Sequence, residues 1–276
     1  MAPFKSACSS ALMAHGEIPD LVVGSSVGAL NAAYLAGEPT LQGVERLESV
    51  WRGLRRRDIF QLAWLGSVLG LFGWRDHLIE SGGLRRLIER HLRYRRLEDA
   101  FLPCHVVATD VVDGSEVCLS SGPAVAALLA STAIPGVFPV VQIGQRHLVD
   151  GGVASNTPIA TAVSLGARRL IVLATGFSCA IERPPHGAVA LAIHALNLLV
   201  ARQLVLDARR FADIADLIVV PPLCPPVSSY DFSRIGEMID RATAQTECWL
   251  SAGGLEVDDD PALFEESRPT ALQPRS

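Results

Sequence analysis

The tightest constraint on this chain is a serine caught in a glycine-flanked turn between a short apolar strand and a small-residue helix. Residues 21–36 read LVVGSSVGALNAAYLA: Leu21-Val22-Val23 feeds Gly24-Ser25-Ser26-Val27-Gly28, and a helical run leaves it from Ala29. A serine on so sharp a strand-to-helix turn must hold a strained backbone, and Gly24 and Gly28 remove side chains that would clash there. The turn lifts the Ser26 hydroxyl above the sheet edge. The helix N-terminus then offers unpaired N–H groups, that of Val27 first among them, and positive potential where an oxyanion would form. Gly-x-Ser-x-Gly alone recurs by chance in a chain with 23 glycines. The strand ahead of it and the helix behind it raise catalysis above the reading of an ordinary turn.

At 276 residues the chain can bury a substantial core, and one α/β domain over residues 1–252 is expected. From Gly253 the composition turns acidic and then rich in Pro and Ser, so residues 253–276 read as a disordered tail. The net charge of −5 and the balanced arginines argue against a nucleic-acid partner. The six cysteines are scattered, with no Cys-x-x-Cys and no His/Cys cluster at ligand spacing, so no metal or other cofactor is expected and buried reduced thiols are. The N-terminus lacks the apolar core of a signal peptide, which fits a cytoplasmic protein.

Residues 59–74 (IFQLAWLGSVLGLFGW) test that assignment. The run is short for a membrane-spanning helix, which needs about 20 apolar residues. It reads first as a buried connection over the core. If the substrate is a lipid, it reads as an interfacial flap from Ile59 to Trp74, peripheral at a membrane, with Trp64, Trp74 and the preceding arginines at the surface.

Elsewhere β-branched runs alternate with helical patterns. Strands are expected at 21–23, 104–111, 116–119, 168–174 and 216–220, and helices at 41–52, 84–91, 124–130, 158–165, 188–212 and 231–250. Asp113-Gly114 between apolar runs marks a hairpin, Pro158 suits a first helical turn, and Gly166 suits the position just past a helix. The alternation predicts an α/β fold of three layers, α/β/α, around a central, mostly parallel sheet.

A second segment bears on chemistry. Leu148-Val149-Asp150-Gly151-Gly152 delivers an aspartate from an apolar pair onto two glycines. Alone it is a plain turn. Ser26, however, needs a group to take its proton. An aspartate of ordinary pKa, about 3.9, is a weak base at neutral pH, and burial would strengthen it. Gly151 and Gly152 would let the chain turn tightly enough to bring Asp150 against the elbow. A Ser-His-Asp triad is the competing arrangement, with His186 or His194 downstream in the right order. His194 lies within an apolar helical run and reads as a core histidine. His186 follows Pro184-Pro185 in a loop, and His147 reads as an exposed hairpin residue. A Ser26–Asp150 dyad is preferred.

These segments resemble the patatin-like phospholipase family over nearly the whole chain. The elbow GSSVGALNAA, the stretch ASTAIPGVFP at 130–139, LVDGGVASNTP at 148–158, and Ala108-Thr109-Asp110 ahead of the hairpin occur in the family's order. The resemblance implies a serine acyl hydrolase of the phospholipase or lysophospholipase kind, acting on lipid esters through an acyl-enzyme. It implies Ser26 as nucleophile, Asp150 as base, and neither metal nor histidine. One departure stands out. The family opens with a strand and a glycine-rich loop, roughly GGGxRG, whose N–H groups form most of the oxyanion hole. Counting back from Gly16 and Ile18-Pro19-Asp20 puts that loop at or just before Met1. The preferred expectation is a true start upstream, with the loop present. The alternatives are an impaired enzyme and a non-enzymatic lipid-binding relative.

Overall fold

The computed structural model describes residues 2–59, 77, 79–174, 186–221 and 234–256. In chain order the elements are α1 (Ala2–Ala14), β1 (Val22–Ser25), α2 (Val27–Gly37), α3 (Leu41–Gly53), α4 (Arg56–Ile59), α5 (Gly82–His91), β2 (Cys104–Asp110), β3 (Glu116–Leu119), α6 (Ala124–Ser131), β4 (Val141–Ile143), β5 (Arg146–Asp150), α7 (Ile159–Ser164), β6 (Arg169–Val172), α8 (Ala188–Phe211), β7 (Asp216–Val219) and α9 (Ile235–Ser251). Strands form the middle layer and helices cover both faces, so the three-layer α/β/α architecture expected from the alternation is the one adopted.

The sheet is mixed. β1 runs parallel to β2, and β6 parallel to β7, as crossovers through helices require. β2–β3 and β4–β5 are antiparallel, because short turns can join only antiparallel strands, and β5 also runs antiparallel to β2. The Asp113-Gly114 turn is built as its sequence dictates. Gly114 takes φ +73°, and Asp113 Oδ1 accepts the Ser115 N–H at 2.8 Å.

One topological detail positions the site. β3 occupies one edge of β2, opposite residues 106–109. On the other edge β1 runs beside residues 104–107, and β5 runs the opposite way beside residues 108–110. β1 and β5 therefore converge end to end along a single strand edge. Ser25 comes to rest opposite Val107, and Asp150 opposite Ala108.

Apolar clusters on both faces hold this layer. Phe4, Leu12, Leu47, Trp51 and Ile239 tie α1, α3 and α9 together. Ala29, Ala33, Ile88, Val106 and Leu128 join α2, α5, β2 and α6. Ile159, Leu170, Val172 and Leu204 pack α7 and α8 over β6. The alanines of α2 let it lie close to the sheet, since Ala29, Ala33 and Ala36 are fully buried.

Several sequence expectations shift by local detail. Pro158 stands one residue ahead of α7, at its cap, and Gly166 takes φ +92° just past its end. α9 begins at Ile235; residues 231–233 of the expected helix lie outside the described residues. β4 was not anticipated, because three residues are too short to show alternation. Cys8 and Cys104 are buried and free as expected, whereas Cys118 and Cys248 are exposed. Cys118 sits on the outward face of β3, where side chains alternate between core and solvent. Of residues 59–74 only Ile59 is described; it ends α4, partly buried against the first cluster. The expected tail lies outside the described residues from 257 onward. Among the described residues no helix is long and apolar enough to cross a membrane.

Candidate active site

Ser26 follows the last residue of β1 and caps α2 with φ +54° and ψ −130°. Among the described residues it is the one non-glycine with positive φ, a conformation that costs about 1–3 kcal/mol and needs its surroundings to enforce it. Two features enforce it. A Cβ at Gly24 would lie 2.6 Å from the Gly28 carbonyl oxygen and from Ala29 Cα, so helix and strand approach more closely than any side chain at 24 allows. A Cβ at Gly28 would meet the Lys5 ammonium at 2.7 Å. In addition, the Ser26 N–H donates to Ser131 Oγ at 2.9 Å, and Ser131 Oγ donates onward to the Val107 carbonyl at 2.6 Å. Ser131, fully buried at the end of α6, thus ties the elbow to the central strand.

Asp150 ends β5 where β1 ends, so 124 residues of sequence separation collapse to a hydrogen bond. Ser26 Oγ donates to Asp150 Oδ2 at 2.7 Å. The other carboxylate oxygen accepts the Gly152 N–H at 2.7 Å, as the carboxylate caps the single helical turn Gly151–Val153. The Asp150 N–H donates to the Ala133 carbonyl at 2.9 Å, and its own carbonyl accepts from Thr109 Oγ1 at 2.9 Å. Thr109 Oγ1 also accepts the Ala154 N–H at 3.1 Å. Backbone and carboxylate are both fixed, which leaves Asp150 only 6% exposed. Burial pushes its carboxyl up to about 6, against the opposing pull of hydrogen bonds from Ser26 and the Gly152 N–H.

Gly151 and Gly152 serve separate ends. A Cβ on Gly151 would stand 2.2 Å from the Val107 carbonyl oxygen and 2.6 Å from Ser25 Oγ, because the chain leaves β5 across the point where β1 and β5 meet. A Cβ on Gly152 would press at 3.0–3.1 Å on Asp150 Oδ1 and Asn156 Oδ1. Val27 opens α2, and among the described residues its N–H has no acceptor.

The histidines stand apart from this pair. His147 is exposed on β5 opposite Gln142, His186 is exposed ahead of α8, and His194 is half-buried on α8. Among the described residues no histidine is bonded to Ser26 or Asp150. No group of three His, Cys, Asp or Glu side chains among them is placed to hold a metal ion.

Two positioning residues escaped the sequence reading. Ser131 lies inside ASTAIPG and Thr109 inside Ala-Thr-Asp, stretches noted only for their likeness to a family. The available signal was a small hydroxyl amid alanines and leucines. A buried polar side chain must find partners, and here these partners are the backbone of the elbow and of the aspartate turn. Ser131→Ala would leave the Ser26 N–H and the Val107 carbonyl unpaired, at about 1–3 kcal/mol. Urea unfolding of this variant should show a lower midpoint with an unchanged slope.

A family model described as patatin-like phospholipase matches residues 7–163, a span holding the elbow, Ser131, Thr109 and the Asp150 turn. The chain belongs to the patatin-like phospholipase family. Relatives include an uncharacterized NTE family protein of Mycobacterium tuberculosis H37Rv, 38% identical over 71 residues that cover 26% of this chain and 20% of that protein. A second uncharacterized NTE family protein of that strain is 31% identical over 81 residues, covering 29% of this chain and 14% of the relative. Patatin-like phospholipase domain-containing protein 7 of Rattus norvegicus is 22% identical over 271 residues, covering 88% of this chain and 20% of the relative. The chain thus spans about a fifth or less of the length of these family members.

Proposed function

We propose that this chain is a serine acyl hydrolase acting on lipid esters, in which Ser26 attacks the acyl carbonyl and Asp150 serves as general base. The observation that carries this reading is the 2.7 Å hydrogen bond from Ser26 Oγ to Asp150 Oδ2 at a buried carboxylate. A carboxyl raised to about 6 is still largely ionised at pH 7–8, yet is a far better proton acceptor than an ordinary aspartate. As the Ser26 oxygen bonds to the acyl carbon, its proton passes to Asp150. The carbonyl oxygen gains charge near the positive end of α2, where the Val27 N–H is the candidate donor. Collapse breaks the ester C–O bond, and Asp150 returns the proton to the leaving alcohol. Water then attacks the acyl-serine, giving a proton to Asp150; the bond from the acyl carbon to Ser26 Oγ breaks, Asp150 returns that proton to Oγ, and the fatty acid departs.

Membership of the patatin-like phospholipase family supports lipid esters over other acyl substrates, and the fixed elbow supports a nucleophile over a structural serine. The chemistry uses side chains and backbone alone. Contact with a lipid surface through residues 59–74 belongs to the same proposal, as does residence in the cytoplasm.

An alkyl fluorophosphonate tests the nucleophile directly, since it forms a stable bond with an activated serine. Peptide mass mapping should find the adduct on Ser26, with none in Ser26→Ala. An adduct on another serine, or labelling that survives in Ser26→Ala, would reject the assignment. Ester hydrolysis measured on mixed lipid vesicles then separates an enzyme from a lipid-binding relative, which would associate with the vesicles and leave every ester intact.

A further inference from the structure

The longest described helix, α8, is apolar on two opposite sides. Its inner side packs Leu204 and Phe211 into the cluster over β6. Ala208 is buried on that side, as is the one carboxylate of the helix, Asp207, which accepts from Gln203 Nε2 at 3.0 Å. The outer side carries Leu191, Leu198, Leu199 and Leu206, which are 45–63% exposed. At about 100° per residue these four share an arc of about 100°, and the exposed Arg202 and Arg210 lie within or beside it. The chain as a whole has a net charge of −5, yet α8 places no acidic side chain on this arc. Leucines scattered singly over a surface need no cause, whereas four in one stripe mark a face that meets something.

The stripe has a definite place in the fold. Arg169, the first residue of β6, donates to Glu17 at 2.6 Å, and Glu17 belongs to the segment leading into β1. Val23 of β1 packs against the β6 cluster. The two strands therefore start at one end of the layer and finish at the other, where Ser26 stands. α8 connects β6 to β7, which are parallel, so it runs opposite to both, and its N-terminal turns head back toward the finishing end. Leu204 is level with β6, and at 1.5 Å per residue Leu191 lies about 20 Å further along the helix axis. The leucine-bearing turns thus flank the end of the sheet that presents Ser26.

We propose that the outer face of α8 docks this chain on a lipid bilayer bearing anionic headgroups. Leucines along the middle of an exposed helical face, with arginine as its charged component, suit the boundary between headgroups and acyl chains. There the leucines leave water for hydrocarbon, and the arginines meet lipid phosphates while their aliphatic stems stay in the apolar layer. The choice of a lipid partner rests on the lipid-ester reading of the site. The face itself is separate in sequence from residues 59–74, and docking through it brings the Ser26 end of the sheet to the surface where such a substrate resides.

The test uses the whole 276-residue chain and vesicles of ether-linked lipids, which hold no ester to cleave. One set is dialkyl phosphatidylcholine alone, and the other mixes in dialkyl phosphatidylglycerol. Co-sedimentation should show binding on the order of tenfold tighter to the anionic set, weakened by high salt. The double variant Leu198→Asn, Leu199→Asn should lose on the order of tenfold or more on both sets. The double variant Arg202→Gln, Arg210→Gln should lose on the order of tenfold on the anionic set alone. Both should melt with the wild type, since the altered side chains are exposed. Phe101→Asn is the control: that aromatic is 77% exposed ahead of β2, at the opposite end of the layer from Ser26, and its loss should leave vesicle binding unchanged. Wild-type binding by the leucine variant, an equal loss in Phe101→Asn, or equal affinity for the two vesicle sets would overturn the proposal. A lower melting temperature in the leucine variant would mean that another part of the chain covers the stripe, and a wild-type dimer that this variant dissociates would mean that a second copy does; either result overturns it too. Nothing is hydrolysed in these measurements, so their failure leaves Ser26 as nucleophile untouched, and a Ser26 that takes no fluorophosphonate leaves the docking face standing.

Discussion

Asp150→Asn is expected to lower the rate of Ser26 acylation by about 10²–10⁴-fold while making the folded protein more stable at neutral pH. The rate falls because an amide cannot take the serine proton, and positioned general bases contribute factors of that size. Stability rises for a separate reason. The folded carboxyl titrates near 6, above its ordinary 3.8, so the fold prefers the protonated form. That preference is fully present below about 3.8 and is lost as pH rises through about 6. Above that, folding must bury a carboxylate, a difference of about 2 units worth on the order of 3 kcal/mol. Asn removes the titration. Urea unfolding should show the variant ahead of the wild type at pH 8 and level with it near pH 4. The wild-type acylation rate, followed with a chromogenic acyl ester, should climb through a single ionisation near 6. A variant that keeps its rate, together with loss on His186→Ala or His194→Ala, would move the base to a histidine.

The elbow was legible in the sequence because its geometry leaves few residues to choose from. Gly24 stands where a close strand-to-helix approach demands it and Ser26 where φ is positive, while a Cβ at Gly28 would meet only the flexible end of Lys5. Asp150 was legible as a candidate because two glycines follow it. Its partnership with Ser26 was legible only through chemical need, since nothing local says that β5 ends where β1 ends. That meeting depends on the shared edge of β2, a tertiary fact. The antiparallel half of the sheet was half-hidden for a similar reason. β4 is three residues long, and β5 presents only Leu148 and Val149 as an apolar pair before the aspartate. Ser131 and Thr109 were invisible as functional residues because hydroxyls carry no periodicity, and their targets are backbone groups far away in sequence. The open edge of β1 was legible only through the resemblance, which puts the family's opening strand at or just before Met1. β1 and β6 both look like ordinary buried runs, and among the described residues only the pairing shows that they belong to separate sheets.

Gly151→Ala is expected to damage fold and site together, more than any other single methyl group at the candidate site. The added carbon would stand 2.2 Å from the Val107 carbonyl oxygen, far inside contact distance. Relief by rotation is impossible, because the clash involves Cβ itself. The obstacle is backbone of β2, pinned by β1 and β3 on its two edges at that residue. The chain after β5 must therefore lift away, and overpacking of this kind costs about 1–3 kcal/mol or more. The same displacement drags Asp150, whose cap on Gly152 and whose link to Ser26 are both 2.7 Å long. A shift of about 1 Å between reacting groups can cost on the order of 10²-fold in rate. Gly82→Ala is the control. Its Cβ would meet only Arg86 Nη1 at 3.5 Å, an ordinary contact at the start of α5, so stability should change by no more than about 0.5 kcal/mol. Urea midpoints and fluorophosphonate labelling rates of the two variants, measured side by side, decide the matter. A Gly151→Ala protein with wild-type midpoint and labelling would mean that the Asp150 turn is not packed against Val107, and the geometry assigned to the dyad would fall with it.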